Sequence, residues 1–299
     1  MDNLLNIDRL KKYQAESLVS LATSIKSNFP LIKKEKPLVN KNIIFLFLEP
    51  STRTKTSFKF SSFILGANII DISPASSSIT KGETFEDTLK TLSAYPADAL
   101  ILRSYENSHI EMAEKMLDFP VINAGLGTLS HPTQALTDLM TLKEKGIDMK
   151  NTKISIVGDI AHSRVARSSI EIFTLFEAKI NLCAPNYFKP KNFSDIPYYE
   201  DLDDALKGAD ILMTLRIQKE RFNGLSVDIE DYSRKYMITK DIMDKYKINY
   251  VMHPGPVNEG IEISKGLQDS KRSLIHEQVK NGTWIRCAVL AEILAGKKI

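Results

Sequence analysis

At 299 residues the chain has room for two domains of ordinary size, and its 43% hydrophobic and 26% charged residues exclude a disordered or fibrous class. A formal charge of +3, from 40 basic against 37 acidic side chains with no basic stripe, argues against a nucleic-acid partner. The start, Met-Asp-Asn-Leu-Leu-Asn-Ile-Asp-Arg, lacks the pattern of a secretory leader, and no apolar run reaches membrane length, so a cytoplasmic chain is expected. Cys183 and Cys287 are distant and in apolar surroundings, which favours core residues over a disulfide framework or a zinc site.

In chain order, Leu10, Tyr13, Leu18, Leu21 and Ile25 recur at helical spacing and predict an amphipathic helix from about Ile7 to Ile25. Lys33, Lys34 and Lys36 read as a solvated loop. An apolar run, Ile43 to Leu48, predicts a buried strand. A polar turn follows, then Phe58, Phe60, Phe63, Ile64 and Leu65 at helix-like spacing. Next come a strand (Asn68 to Ile72), a Ser-rich loop (Ser73 to Gly82), a helix (Thr84 to Leu92), a strand (Ala97 to Leu102), a helix (His109 to Leu117) and a strand (Val121 to Ala124). A longer helix, His131 to Lys145, stops at Gly146 and would bridge two domains.

The alternation restarts with a strand (Ile154 to Val157), a helix (Arg164 to Phe176), a strand (Lys179 to Cys183), a surface loop (Pro185 to Pro197), a helix (Asp201 to Lys207) and strands at Ile211 to Leu215 and Asn249 to Met252. Two closing helices are expected, about Lys271 to Lys280 and Thr283 to Ala295. Such alternation predicts two open parallel-sheet α/β domains joined by inter-domain helices. The expected limits are 1–145 and 146–282, with the segment from about 283 to 299 packing back on the first domain.

Ligands of open α/β sheets sit at the carboxyl ends of the strands, and polar residues fall there repeatedly in this chain. They are Ser51 to Thr54, Arg103, His131 to Gln134, Asp159 to Arg164, Arg216 to Arg221 and His253 to Asn258. Six such placements in two sheets argue for a cleft between domains. The first is the most concentrated: Glu49-Pro-Ser-Thr-Arg-Thr-Lys-Thr-Ser-Phe58 puts Ser51, Thr52, Arg53 and Thr54 at a strand-to-helix turn. Unpaired backbone N–H groups and the helix dipole there suit a phosphate dianion. On composition alone, an N-capping cluster with a surface Arg fits equally well. Neither a Walker loop nor a Gly-x-Gly-x-x-Gly fingerprint occurs, and neither a cofactor nor a metal is expected.

The Ser-Thr-Arg-Thr stretch resembles the carbamoyl-phosphate signature of the aspartate and ornithine carbamoyltransferases, and further motifs follow in family order over nearly the whole chain. His131-Pro-Thr-Gln134-Ala-Leu-Thr-Asp138 is similar to the family's His-Pro-x-Gln-x-Leu-x-Asp. The resemblance implies a carbamoyl-phosphate site made of Ser51, Thr52, Arg53, Thr54, Arg103, His131, Gln134, Gly255 and Pro256, with Ser77 and Lys81 reaching it from a neighbouring subunit. Arg53, Thr54, Lys81, Arg103, His131 and Gln134 would be its catalytic set. His131, Thr54 and Arg103 would stabilise the oxyanion.

The amino-acid half resembles the aspartate branch. Arg164, ending the turn that begins Gly158-Asp159, and Arg216 with Gln218 in Arg-Ile-Gln-Lys-Glu-Arg would bind the two carboxylates of aspartate, assisted by Lys81. His253-Pro254-Gly-Pro256 has Pro where ornithine enzymes carry Cys, and a cis bond before Pro256 is the family expectation. Glu259 departs from the pattern by standing where many bacterial relatives have Arg. The resemblance thus implies carbamoyl transfer to L-aspartate in pyrimidine synthesis, by a homotrimer with shared sites, and leaves room for a regulatory chain. The rivals are an ornithine-type enzyme and an anion-binding protein without turnover.

Overall fold

The computed structural model describes residues 1–74, 78–218 and 227–296. It divides into two compact units, Met1–Met140 with Lys280–Ile299, and Thr141–Val279. Each is a parallel sheet with helices between its strands.

The first unit opens on an extended segment rather than a helix. Leu4 N donates to Val121 O (3.2 Å) and Leu4 O accepts from Asn123 N (2.8 Å), so the chain lies along a sheet edge and buries Leu4, Leu5 and Ile7. For that reason α1 (Lys12–Ser27) starts later than the apolar spacing predicts. Lys33 and Lys34 are exposed as expected, but they sit on a short helix, α2 (Phe29–Glu35), rather than on the expected loop. Then follow β1 (Asn42–Phe47), α3 (Thr52–Leu65), β2 (Asn68–Ile72), α4 (Phe85–Ser93), β3 (Ala99–Ser104), α5 (His109–Met116), β4 (Val121–Leu126) and α6 (Pro132–Glu144). The strand order is β2-β1-β3-β4, all parallel. Leu46, Leu89, Leu100, Leu102, Ile110 and Val121 are fully buried in its core.

In the second unit β5 (Lys153–Val157), α7 (Arg164–Leu175), β6 (Lys179–Cys183), β7 (Tyr198–Tyr199), α8 (Leu202–Leu206), β8 (Ile211–Thr214), α9 (Ile229–Tyr236), α10 (Lys240–Lys245) and β9 (Tyr250–Met252) form a parallel sheet of order β7-β6-β5-β8-β9. The stretch 185–197 is not merely a surface loop. Phe188, on the 3-10 turn Asn186–Phe188, is fully buried and meets Tyr232 of α9 edge-on at 6.3 Å between ring centroids.

The two closing helices expected from the sequence are one continuous helix, α11 (Ile275–Leu294). Gly282 does not break it, because the missing side chain serves another purpose. A Cβ there would lie 2.5 Å from Nη1 of Arg286, which donates to Gly282 O at 2.8 Å and is fully buried over the Phe58 ring. Cys183 and Cys287 are both buried, and burial pushes each thiol up to about 12. Among the described residues no helix is long and apolar enough to cross a membrane.

Each sheet reverses its strand order once. In the first, the chain leaves β1 towards β2 and returns on the other side with β3; in the second, it leaves β5 towards β6 and returns with β8. At such a switch point the two loops diverge from the strand ends and open a crevice. Ser51 to Thr54 and Arg103 lie at the first switch point and Arg164, Arg216 and Gln218 at the second, while His131 and Gln134 follow β4 and Gly255 and Pro256 follow β9.

Candidate active site

At the first switch point, β1 ends in Glu49 and Pro50, and α3 begins at Thr52 with Ser51 as its N-cap residue. The Ser51 side chain makes no capping hydrogen bond. The first-turn N–H groups of α3 therefore point, uncapped by that hydroxyl, beside exposed Thr52 and Arg53. Thr54 turns inward instead. Its Oγ1 is 3.2 Å from Nε2 of His131, and both side chains are buried. This bond joins the start of α3 to the start of α6.

Arg103 is not beyond its strand, as the sequence reading placed it, but within it: β3 runs through Ser104, with Arg103 level with Phe47 of β1. Its Nη1 donates to Ala124 O (3.3 Å), and its Nε lies 3.3 Å from Oε2 of Glu49, both side chains being largely shielded. One turn beyond His131 on α6, Gln134 Nε2 donates to Oδ1 of buried Asp138 at 2.8 Å. A carboxylate only accepts, so this contact fixes the amide with Oε1 turned away from Asp138 and free to take an N–H donor. Asp138 in turn raises the pKa of Arg286, although burial dominates and brings that guanidinium down to about 9. Lys81 is exposed at the end of the 3-10 turn Ser78–Lys81, and Ser77 lies outside the described residues.

The second switch point is built differently. Gly158, at φ +126°, lets β5 pass so close to β8 that a Cβ would sit 2.8 Å from Leu215 O. After it, the α7 N-terminus is capped by Ser163, whose side chain accepts from Ala166 N. Asp159, fully buried, accepts from His162 N (3.2 Å), His162 Nδ1 (2.7 Å) and Gln218 N (3.4 Å). Burial raises the Asp159 pKa, and the His162 contacts oppose that rise. Arg164, the first residue of α7, is buried, while Arg216 and Gln218 are half-buried just after β8.

Beyond the neighbouring strand β9, the chain turns through His253 to Asn258. The Gly255–Pro256 peptide is cis. Its shape is set by His253, whose Nδ1 accepts from Gly255 N (2.8 Å) and whose N donates to Oε1 of Gln278 (3.1 Å). Glu259 is exposed and accepts from Gly266 N at 3.2 Å, a local turn contact. Among the described residues no group of three or more His, Cys, Asp or Glu is placed to hold a metal ion.

Residues 2–144 match the model of the aspartate/ornithine carbamoyltransferase carbamoyl-P binding domain, and residues 150–293 match that of the Asp/Orn binding domain. The chain belongs to the aspartate/ornithine carbamoyltransferase family. Within that family it is 40% identical to the aspartate carbamoyltransferase catalytic subunit of Solibacter usitatus, over 97% of this chain and 98% of the relative. It is also 40% identical to that of a Roseiflexus species, over 96% and 93%. The fold matches two crystal structures equally well. One is aspartate transcarbamoylase from Trypanosoma cruzi with carbamoyl aspartate and phosphate (TM-score 0.88, 27% identity, 98% and 96% coverage). The other is ornithine carbamoyltransferase from Pyrococcus furiosus (TM-score 0.88, 27% identity, 99% and 98% coverage). Backbone shape therefore does not separate the two branches of this carbamoyltransferase family, and the separation has to come from side chains.

The motifs carried Asp138 and Asp159 without giving them a role and missed Glu262, and all three are buried carboxyls. Asp159 and Glu262 do not stand out in sequence, because they act on backbone groups that the fold brings to them, whereas Asp138 accepts from Gln134 within its own motif. The one available signal was position: Asp138 closes the His131 motif, and Asp159 follows a strand-end glycine.

Proposed function

We propose that this carbamoyltransferase moves the carbamoyl group of carbamoyl phosphate to the amine of L-aspartate, giving N-carbamoyl-L-aspartate and phosphate for pyrimidine synthesis. The first unit is the carbamoyl-phosphate-binding domain and the second the aspartate-binding domain. The observation that supports the choice of acceptor is that two arginines follow the adjacent strands β5 and β8: Arg164 opens α7 and Arg216 comes just after β8. A dicarboxylate needs two cations with fork geometry, whereas a cationic ornithine side chain would need an acid there.

Ser51, Thr52, Arg53 and the α3 amides hold the phosphate, with Ser77 and Lys81 supplied by a neighbouring chain. Gln134 Oε1 and the carbonyls around Gly255 and Pro256 receive the carbamoyl NH2 group. Attack by the aspartate amine turns the carbonyl oxygen into an oxyanion, which Thr54, Arg103 and Nε2–H of His131 stabilise. Preorganised donors of this kind contribute about 3–4 kcal/mol each in a water-poor site. The C–O bond to phosphate then breaks, and the departing phosphate takes the amine proton. No covalent intermediate on the protein is needed, since holding the two reactants together supplies much of the acceleration. Arg53, Lys81, Arg103, Arg164 and Arg216, with Gln218 assisting, offset the roughly four negative charges that the substrates bring.

A second copy of the chain fits the exposure of α3. Arg53, Thr56, Phe60 and Phe63 form one exposed stripe, and Phe60 and Phe63 are 58% and 69% exposed. The exposed stripe suits a neighbouring copy, and we take the assembly to be a homotrimer in the cytoplasm in which a neighbour's Lys81 completes the site at Arg53. Phosphate release on adding aspartate, measured beside calorimetric titration of phosphate, tests the reading. Binding without release would make the chain an anion-binding protein. Inactive Arg53→Ala and Lys81→Ala chains, dissociated and mixed, should regain activity; no recovery beyond either parent would count against site sharing.

A further inference from the structure

The segments that follow β8 and β9 are joined by a carboxylate that the transfer scheme does not use. Glu262 is 1% exposed. Its Oε1 accepts from Ile217 N (3.0 Å) and from Nδ2 of Asn258 (2.8 Å), and its Oε2 accepts from Asn258 N (2.7 Å). Three N–H donors converge on two oxygens, an arrangement that suits an ionised carboxylate and would clash with an acid O–H. Burial raises the Glu262 pKa, and the Ile217 and Asn258 bonds oppose it.

The residues held are informative. Ile217 lies between Arg216 and Gln218, and the next amide, Gln218 N, is taken by Asp159. Two consecutive peptide groups are thus gripped from the fold side by two different buried acids, which leaves the Arg216 and Gln218 side chains to point elsewhere. Asn258 closes the turn that contains Gly255 and Pro256. We propose that Glu262 is a positioning residue for the amino-acid acceptor: it fixes the spacing between the Arg216–Gln218 segment and the His253–Asn258 turn, so that Arg216 meets the aspartate side-chain carboxylate without a loop-ordering cost. The inference rests on the carbamoyl-transfer reading above. It adds that affinity for the acceptor is set by an acid that never touches it.

The test compares Glu262→Gln and Glu262→Asp with wild type. Glutamine keeps the shape but turns an NH2 group towards N–H donors; aspartate keeps the charge but is one methylene too short to reach both segments. Losing a charge-assisted bond of this kind should raise the aspartate KM of E262Q by about 10- to 100-fold, with kcat within about 5-fold and the carbamoyl-phosphate KM within about 2-fold. Glu262→Asp should fall between. Hydrogen exchange should quicken in the peptides containing Ile217 and Asn258 together, a readout independent of turnover. An unchanged aspartate KM with unchanged exchange overturns the proposal. So does an equal rise in both KM values with a lowered melting temperature, the mark of a merely structural acid. Wild-type enzyme that does not carbamoylate aspartate overturns the transfer reading, and this inference with it, and is recognised without any variant.

Discussion

The two strand-to-helix turns at the switch points differ in how they treat the helix N-terminus. At α3 the Ser51 side chain leaves the first turn uncapped and places hydroxyls and Arg53 around it, whereas at α7 Ser163 caps Ala166 N and Asp159 takes up the turn's His162 amide. The same local geometry is therefore used in opposite ways. An open helix mouth offers several N–H groups and a partial positive charge within a few ångströms, which matches a compact dianion such as phosphate. At α7 the Ser163 cap takes one of those N–H groups, and the cations that follow β5 and β8 are the long side chains of Arg164 and Arg216, whose forks have the geometry for carboxylates.

This contrast can be broken in several ways. The largest effect is expected at Arg216: alanine there should reduce kcat/KM for aspartate by about 10³-fold and leave the carbamoyl-phosphate dissociation constant nearly unchanged, by steady-state kinetics beside calorimetry. Equal loss of both would remove Arg216 from the acceptor role. Replacing His131 with Asn should lower kcat by about 10²–10³-fold with little change in either affinity. Binding loss without a kcat change would instead make the Thr54–His131 bond a packing contact.

The two N-caps give a sharper and smaller test. Ser163→Ala removes a cap that is made and should cost about 1 kcal/mol in denaturant unfolding, while Ser51→Ala should leave stability almost unchanged and weaken phosphate binding. The reverse pattern would contradict the contrast.

Acid pH probes the second unit through Asp159 and Glu262, whose pKa values burial raises. A carboxyl with a raised folded pKa takes up its proton more readily in the folded chain than in the unfolded one. Its contribution to stability is therefore greatest below the ordinary carboxylate range and declines as pH rises through the raised value. Acceptor capacity has the opposite sign, because the protonated acids cannot serve all their N–H donors. The aspartate KM should accordingly climb as pH falls through the window just above the ordinary carboxylate range, without a matching loss of stability from these two groups. The smallest effect is expected at Asp71. Burial raises its pKa, but hydrogen bonds from Lys55 and Lys59 outweigh that and lower it. Asp71→Asn should cost about 0.5 kcal/mol, and only above the ordinary carboxylate range, because the contribution is lost as pH falls through the lowered value.

Much of this organisation was legible in the sequence because apolar runs are local signals. Ile43 to Leu48 and Lys179 to Cys183 read as strands and are strands, and the alternation gave two parallel sheets. What escaped was non-local or polar. The extended segment through Leu4 owes its shape to β4, more than a hundred residues away, and the helix expected from about Ile7 starts only at Lys12. The short helices α9 and α10 are only eight and six residues long and half or more charged, so the Ile229, Tyr232 and Tyr236 stripe of α9 is too brief to stand out. Gly282 falls between the two helices expected from the sequence, yet it lies inside α11 and makes room for the Arg286 side chain one turn on. The same holds at the candidate site. Arginines and hydroxyls after strands are visible as motifs, but Asp159 and Glu262 act on the backbone of residues 45 to 59 positions away.

The most direct measurement offers labelled carbamoyl phosphate to the enzyme with equal amounts of L-aspartate and L-ornithine and follows the label. With Arg164 and Arg216 receiving the acceptor, the label should appear in N-carbamoyl-L-aspartate almost alone. Label in citrulline, or carbamoyl phosphate bound without transfer to either amine, would contradict the assignment of the second unit.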